Sequence, residues 1–188
     1  MLTRRHKESE HGYTLVELIV YSSLLIVVVS VVAGLFISGL TTTNRVQAMT
    51  AATTSGQVVV DSVETNVRNA SGFRLTTPSG SDQLLVARTA KRDEALSWQC
   101  VAWYYSAAGN GSIRFKQSPW EILTPTPAEL LTWTLVQRGI KPVPGTPIFS
   151  STGQQVTMKF NSLVGVHPPV MISSSATSRA GAPGSPIC

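Results

Sequence analysis

Apolar residues are distributed along the chain in three different rhythms. From Leu18 to Leu40 they follow one another with no charge and no proline between them. A helix over that run covers roughly 34 Å, enough to cross a hydrocarbon core of about 30 Å. Beyond Arg45 they thin to helical spacing. Val46, Met49 and Thr53 share one face, and Val59, Val63, Val67 and Ala70 recur at intervals of three and four, with Asp61, Glu64 and Arg68 elsewhere on the surface. Gly56 weakens the middle of this stretch, and Ser71-Gly72 supplies a stop. The spacing predicts one helix from about Tyr13 to Ala70, apolar all round in its first half and striped in its second.

The third rhythm is that of short strands, with two-residue alternation at Ile113–Lys116 and Val156–Phe160. Gln83 to Arg88 is a short candidate strand, and Trp98 to Tyr105 is a stronger one. Gly109-Asn110-Gly111 joins it to Ile113-Arg114-Phe115-Lys116 as a hairpin, because a tight reversal needs residues that accept positive φ. Leu131 to Val136 and Val156 to Phe160 are further candidate strands, separated by proline-rich loops. From Ser173 to the end the chain is rich in serine, glycine and proline and reads as a loose tail. The fold class expected is therefore α+β: a long N-terminal helix packed on a small antiparallel β head. The corresponding divisions are a leader over 1–12, a transmembrane helix over 13–40, its amphipathic continuation over 41–72, a β-rich head over 73–172 and a tail over 173–188.

Composition sharpens the membrane assignment. Charged residues make up 13% of the chain, against about 25% in ordinary soluble domains. A removable secretory signal has an apolar region of about 7–15 residues followed by a small-residue cleavage site. Ser30, Ala33 and Gly34 imitate such a site, but the run continues through Leu35, Phe36 and Ile37. Arg4, Arg5 and Lys7 precede the span and only Arg45 follows it closely, so the positive-inside bias places the N-terminus in the cytoplasm and the rest of the chain outside. The formal charge of +5 is scattered, and a mildly basic solvated surface accounts for it better than a nucleic-acid track.

Chemistry-bearing constellations are sparse. His6 and His11 precede the membrane run, and His167 stands beside Pro168-Pro169, a loop setting. The sequence has no Gly-x-Ser-x-Gly, no His-Glu-x-x-His, no phosphate-binding glycine loop and no Cys-x-x-Cys. No catalytic, cofactor-binding or metal-ligating set is expected. Trp98, Trp103, Tyr104 and Tyr105 can serve as a ligand platform or as core and hairpin packing, and packing is the favoured reading. Outside the cytoplasm an even cysteine count favours a bridge between Cys100 and Cys188; the other reading leaves one buried thiol and one in a loose end. A bridge closing about 90 residues stabilises by at most roughly 4–5 kcal/mol on the chain-entropy account.

The junction before the apolar run reads Gly12-Tyr13-Thr14-Leu15-Val16-Glu17-Leu18-Ile19-Val20. With the basic leader ahead of it, this resembles the signal of type IV prepilins and pseudopilins. The resemblance covers about 30 residues and implies cleavage after Gly12 by a prepilin peptidase, a new and methylated N-terminus at Tyr13, and an assembly role for Glu17. Tyr13 replaces the commoner Phe, and Gly34 stands where major pilins often carry proline. The stretch from Asp61 to Arg74 is similar to the helix end of J-type pseudopilins and W-type minor pilins. The resemblance implies a non-enzymatic minor subunit of a pilus, type II secretion or DNA-uptake filament. Its partners would be the peptidase, other pilin subunits and, before assembly, membrane lipid. The alternative is a bitopic membrane-anchored binding protein that forms no filament, for which losing the first twelve residues has no purpose.

Overall fold

The computed structural model describes residues 14–91, 97–163, 165, 167–179 and 188. The chain divides into two compact units, Met1–Arg45 and Val46–Cys188. One helix, α1 (Leu15–Arg68), runs through the boundary between them.

Thr14 opens α1. Its Oγ1 accepts the N–H of Glu17 at 3.3 Å and its carbonyl accepts the N–H of Leu18 at 3.2 Å, so two first-turn groups are satisfied by one capping residue. In the first unit this helix is long and apolar enough to cross a membrane. Its large apolar side chains from Leu15 to Leu40 all stand exposed, with Val28 the least so at 49%. The hydroxyls in this stretch bond back to the helix itself: Ser22 to the carbonyl of Ile19, Ser23 to Val20, Ser30 to Ile26 and Thr42 to Ser38. Each of these four hydroxyls is thereby satisfied without water, as an apolar medium demands.

In the second unit the remaining part of α1 packs on nine strands. β1 (Ala70–Thr76), β2 (Gln83–Lys91), β3 (Ser97–Ser106), β4 (Ser112–Ser118) and β5 (Thr134–Arg138) form one antiparallel sheet in sequence order. β6 (Ile140–Pro142), β7 (Phe149–Thr152), β8 (Gln155–Ser162) and β9 (Val170–Thr177) form a second, in which β8 pairs with the other three. A short helix, α2 (Pro127–Thr132), precedes β5. Val59, Val63 and Val67 of α1 are fully buried in a core that also takes Leu85, Val101, Trp103, Tyr105 and Ile113 from the first sheet and Phe149, Val156, Met158 and Phe160 from the second. The indole N–H of Trp103 donates to Ser62 Oγ at 3.0 Å, tying helix to sheet. Gly56 lets β9 come close, since a Cβ there would sit 1.8 Å from Ile172 Cδ1. A smaller core on the outer face of the first sheet joins Leu84, Val86, Cys100, Ala102 and Tyr104 to Ile122, Trp133 and Cys188.

The α+β expectation holds, as do strands at 83–88, 98–105, 113–116 and 156–160. The hairpin tip is as predicted, with φ of +61° at Gly109 and +76° at Gly111. Four boundaries differ. The helix ends at Arg68 and Ala70 already begins β1, so the stripe position Ala70 is buried as a strand residue. In the striped half Ala52 and Gly56 are buried, whereas Val46 is 57% exposed. Leu131–Val136 is split, because Leu131 and Thr132 close α2 and Trp133 turns the chain into β5. The tail is not loose throughout: Ser173 to Thr177 belong to β9, paired with β8 from Lys159 back to Gln155.

Candidate functional site

The first turn of α1 carries the residue that fits its surroundings least. Glu17 is a carboxylate at the start of a span that stays uncharged from Leu18 to Leu40. Its backbone N–H is used by Thr14, and its Oε1 accepts the hydroxyl of Tyr21, one turn on, at 3.1 Å. Thr14-Leu15-Val16-Glu17 has the spacing of a capping box, but the carboxylate is drawn to Tyr21. One hydroxyl satisfies one oxygen of a group whose transfer to a membrane centre costs about 2.5–3.5 kcal/mol. Beside the pair, Leu18, Tyr21, Ser22 and Leu25 line a shallow groove on the helix. Gly12 and Tyr13 lie outside the described residues.

The second feature is the end of the chain. Cys100 on β3 and Cys188 are joined in a disulfide, with Cα atoms 5.6 Å apart and a sequence separation of 88. Both cysteines are buried. The carbonyl oxygen of Cys188 accepts the N–H of Ile122 at 3.3 Å and Arg74 Nη2 at 3.2 Å, so the bridge anchors the segment leading to α2 as well as the terminus.

Several of the remaining titratable groups have structural partners. Asp82 accepts the hydroxyl of Tyr104 at 2.8 Å and the N–H of Ala107 at 2.7 Å. Burial, and then the adjacent Asp82, push the Tyr104 phenol up to about 12. The same two causes raise Tyr105. Glu64 pairs with Arg68 and with Ser174, and Glu121 lies 4.0 Å from Arg74. Glu129 closes a capping box with Thr126, and those hydrogen bonds lower its carboxyl. Asp93 and Glu94 lie outside the described residues. Trp103, Tyr104 and Tyr105 are core residues, whereas Trp98 is 40% exposed with the Arg88 guanidinium 4.7 Å above its ring. Among the described residues no three His, Cys, Asp or Glu side chains gather as metal ligands.

Two features escape a reading of the residues alone. Tyr21 as the partner of Glu17 is signalled by their four-residue spacing on a helix. The clustering of Arg114 and Arg138 comes from the pairing of two separate strands, for which spacing holds no signal. Comparison with protein-family models, curated proteins and solved structures returned no match.

Proposed function

We infer that the chain is the precursor of a minor pilin or pseudopilin subunit, which assembles through its N-terminal helix into a type IV pilus-like filament. The observation that carries this reading is Glu17: a carboxylate in the first turn of a membrane-length helix that is uncharged from Leu18 to Leu40, with the Tyr21 hydroxyl as its side-chain partner among the described residues. An anchor needs no such group, because the apolar run supplies the insertion free energy by itself. A filament subunit does need it. Cutting after Gly12 frees an α-amine at Tyr13, and the same amine on a neighbouring subunit is the natural partner for the second carboxylate oxygen. In a low-dielectric setting such a pair is costly to break from one side. The leader stays in the cytoplasm, where the prepilin peptidase removes it and Tyr13 is methylated. The β head lies outside the cytoplasmic membrane, then on the filament.

Glu17→Ala and Glu17→Gln tested by membrane fractionation and co-purification separate assembly from insertion. Both variants should be processed and membrane-resident yet recover the other filament subunits poorly, with Glu17→Asp intermediate. Parent-like co-purification of Glu17→Ala would remove the assembly role and leave a bitopic anchored protein.

A further inference from the structure

The outer face of the first sheet carries five cations, Arg74, Arg88, Arg114, Lys116 and Arg138, whose strand partners place their side chains on the face of Tyr104. Three have local company. Arg74 lies near Glu121, Arg88 stacks on Trp98, and Lys116 stands over the Trp133 ring at 5.6 Å with Glu129 in its field. Arg114 and Arg138 do not. Ser112 pairs across the strands with Arg138 and, past a register shift, Arg114 pairs with Leu135, which leaves both arginines on one groove. Among the described residues neither guanidinium is within ion-pair distance of a carboxylate. Like charges side by side on a sheet are destabilising.

Both arginines line one groove of about 720 Å³, together with Asn110, Ser112 and three glycines. That volume is in the range of small-molecule sites, about 300–1,000 Å³, and far exceeds what a bare ion fills. The groove is built into the fold. Gly111, which lines it, is fixed close to β6, where a Cβ would lie 1.8 Å from the carbonyl oxygen of Ile140. Arg114 is held by its Nη1, which donates to the carbonyls of Trp133 at 3.0 Å and Leu131 at 3.4 Å, and its other guanidinium nitrogens have no hydrogen bond to the described residues. An edge-strand cation such as Arg138 also discourages stray strand pairing. That role does not explain Arg114, which sits on an interior strand.

We propose that this groove binds a sugar bearing a phosphate or sulfate group, with the oxyanion held between Arg114 and Arg138 and the hydroxyls met by Asn110 and Ser112. Forked guanidinium donors match an oxyanion's paired oxygens, and the free amide and hydroxyl suit a hydrophilic body. The site is independent of how the chain is anchored or assembled.

The test is calorimetric titration of the full chain in a non-ionic detergent with glucose 6-phosphate, glucose 6-sulfate, inorganic phosphate and glucose. At least one of the two esters should bind, weakening with added salt; the tighter ester identifies the anion and should exceed inorganic phosphate and glucose. Arg138→Gln, at an exposed edge position, should weaken binding at least about tenfold, and Arg138→Lys about threefold, since a lysine keeps the charge but loses the fork. Arg88→Gln, which changes a cation of the same face outside the groove, should bind like the parent. No heat with either ester, or unchanged affinity in Arg138→Gln, overturns the site. Inorganic phosphate binding as tightly as the esters overturns the assignment to a sugar.

Discussion

The two halves of α1 obey opposite rules although they are one helix. From Leu15 to Leu40 the side chains are the most apolar in the protein and every large one is exposed. From Ala52 to Val67 the helix is more polar, yet Val59, Val63 and Val67 have no accessible surface. Hydrophobicity in the second half is consumed by the chain's own core. In the first half it is left exposed among the described residues, on a helix long and apolar enough to cross a membrane. Hydroxyl chemistry follows the divide only in part, since Thr53 of the second half also bonds back to its own helix. Ser22, Ser23 and Ser30 turn inward to their own helix, whereas Ser62 reaches across to Trp103.

That contrast can be broken by mutation, with the largest effect expected in the core. Trp103→Ala should destabilise the head by about 4 kcal/mol, through a large cavity and an unpartnered Ser62. Leu25→Ala should leave unfolding of the head unchanged while loosening retention in the membrane. Thermal unfolding in detergent micelles, followed by near-ultraviolet circular dichroism, distinguishes them. Replacing Cys100 and Cys188 together by Ser should cost about 3 kcal/mol by releasing the unfolded chain from its long loop. Non-reducing peptide mapping of the parent should recover the two cysteines in one linked pair, and two separately alkylated thiols would contradict the bridge. Gly56→Leu should cost about 2 kcal/mol, because the new side chain must displace Ile172 and Phe160. Gly34→Leu meets nothing within 4 Å and should not alter the unfolding of the head.

The smallest effect is on pH dependence. The folded Tyr104 phenol titrates at about 12 against an ordinary value of 10.0, so its protonated form is favoured by folding. The stability tied to it is complete below about pH 10 and is lost as pH rises through about 12, because the unfolded chain releases that proton first. Tyr105 shifts in the same direction. In Tyr104→Phe the denaturation midpoint should fall less between those two pH values than in the parent.

Much of this architecture was legible in the residues, and the failures have physical causes. Alternation exposed β4 and β8, whereas β2 and β3, buried on both faces between the two cores, are legible as apolar and aromatic runs. β9 was hidden by composition. Its serines suggest a loose tail, yet Ile172, Ser174 and Ala176 alternate toward α1 and the core, where Glu64 receives Ser174 and Gly56 makes room for Ile172. α2 had a signal that the apolar run Leu130-Leu131 obscured: Thr126-Pro127-Ala128-Glu129 is a capping box with proline in the first turn. β1 was absorbed into the helix because Ala70 continues the three-and-four spacing of Val63 and Val67. Of the sites, Glu17 is conspicuous by its charge in an apolar run, whereas the Arg114–Arg138 groove exists only once β4 and β5 pair.

The exposed apolar half of α1 acquires its meaning from what happens just before it. The intact mass of the protein extracted from its native membrane tests that most directly. The account predicts a chain that begins at Tyr13 and is heavier than the unmodified sequence by one methyl group, with Gly12→Val blocking the cut. A functional protein that retains Met1, or that starts near Gly34, would contradict it.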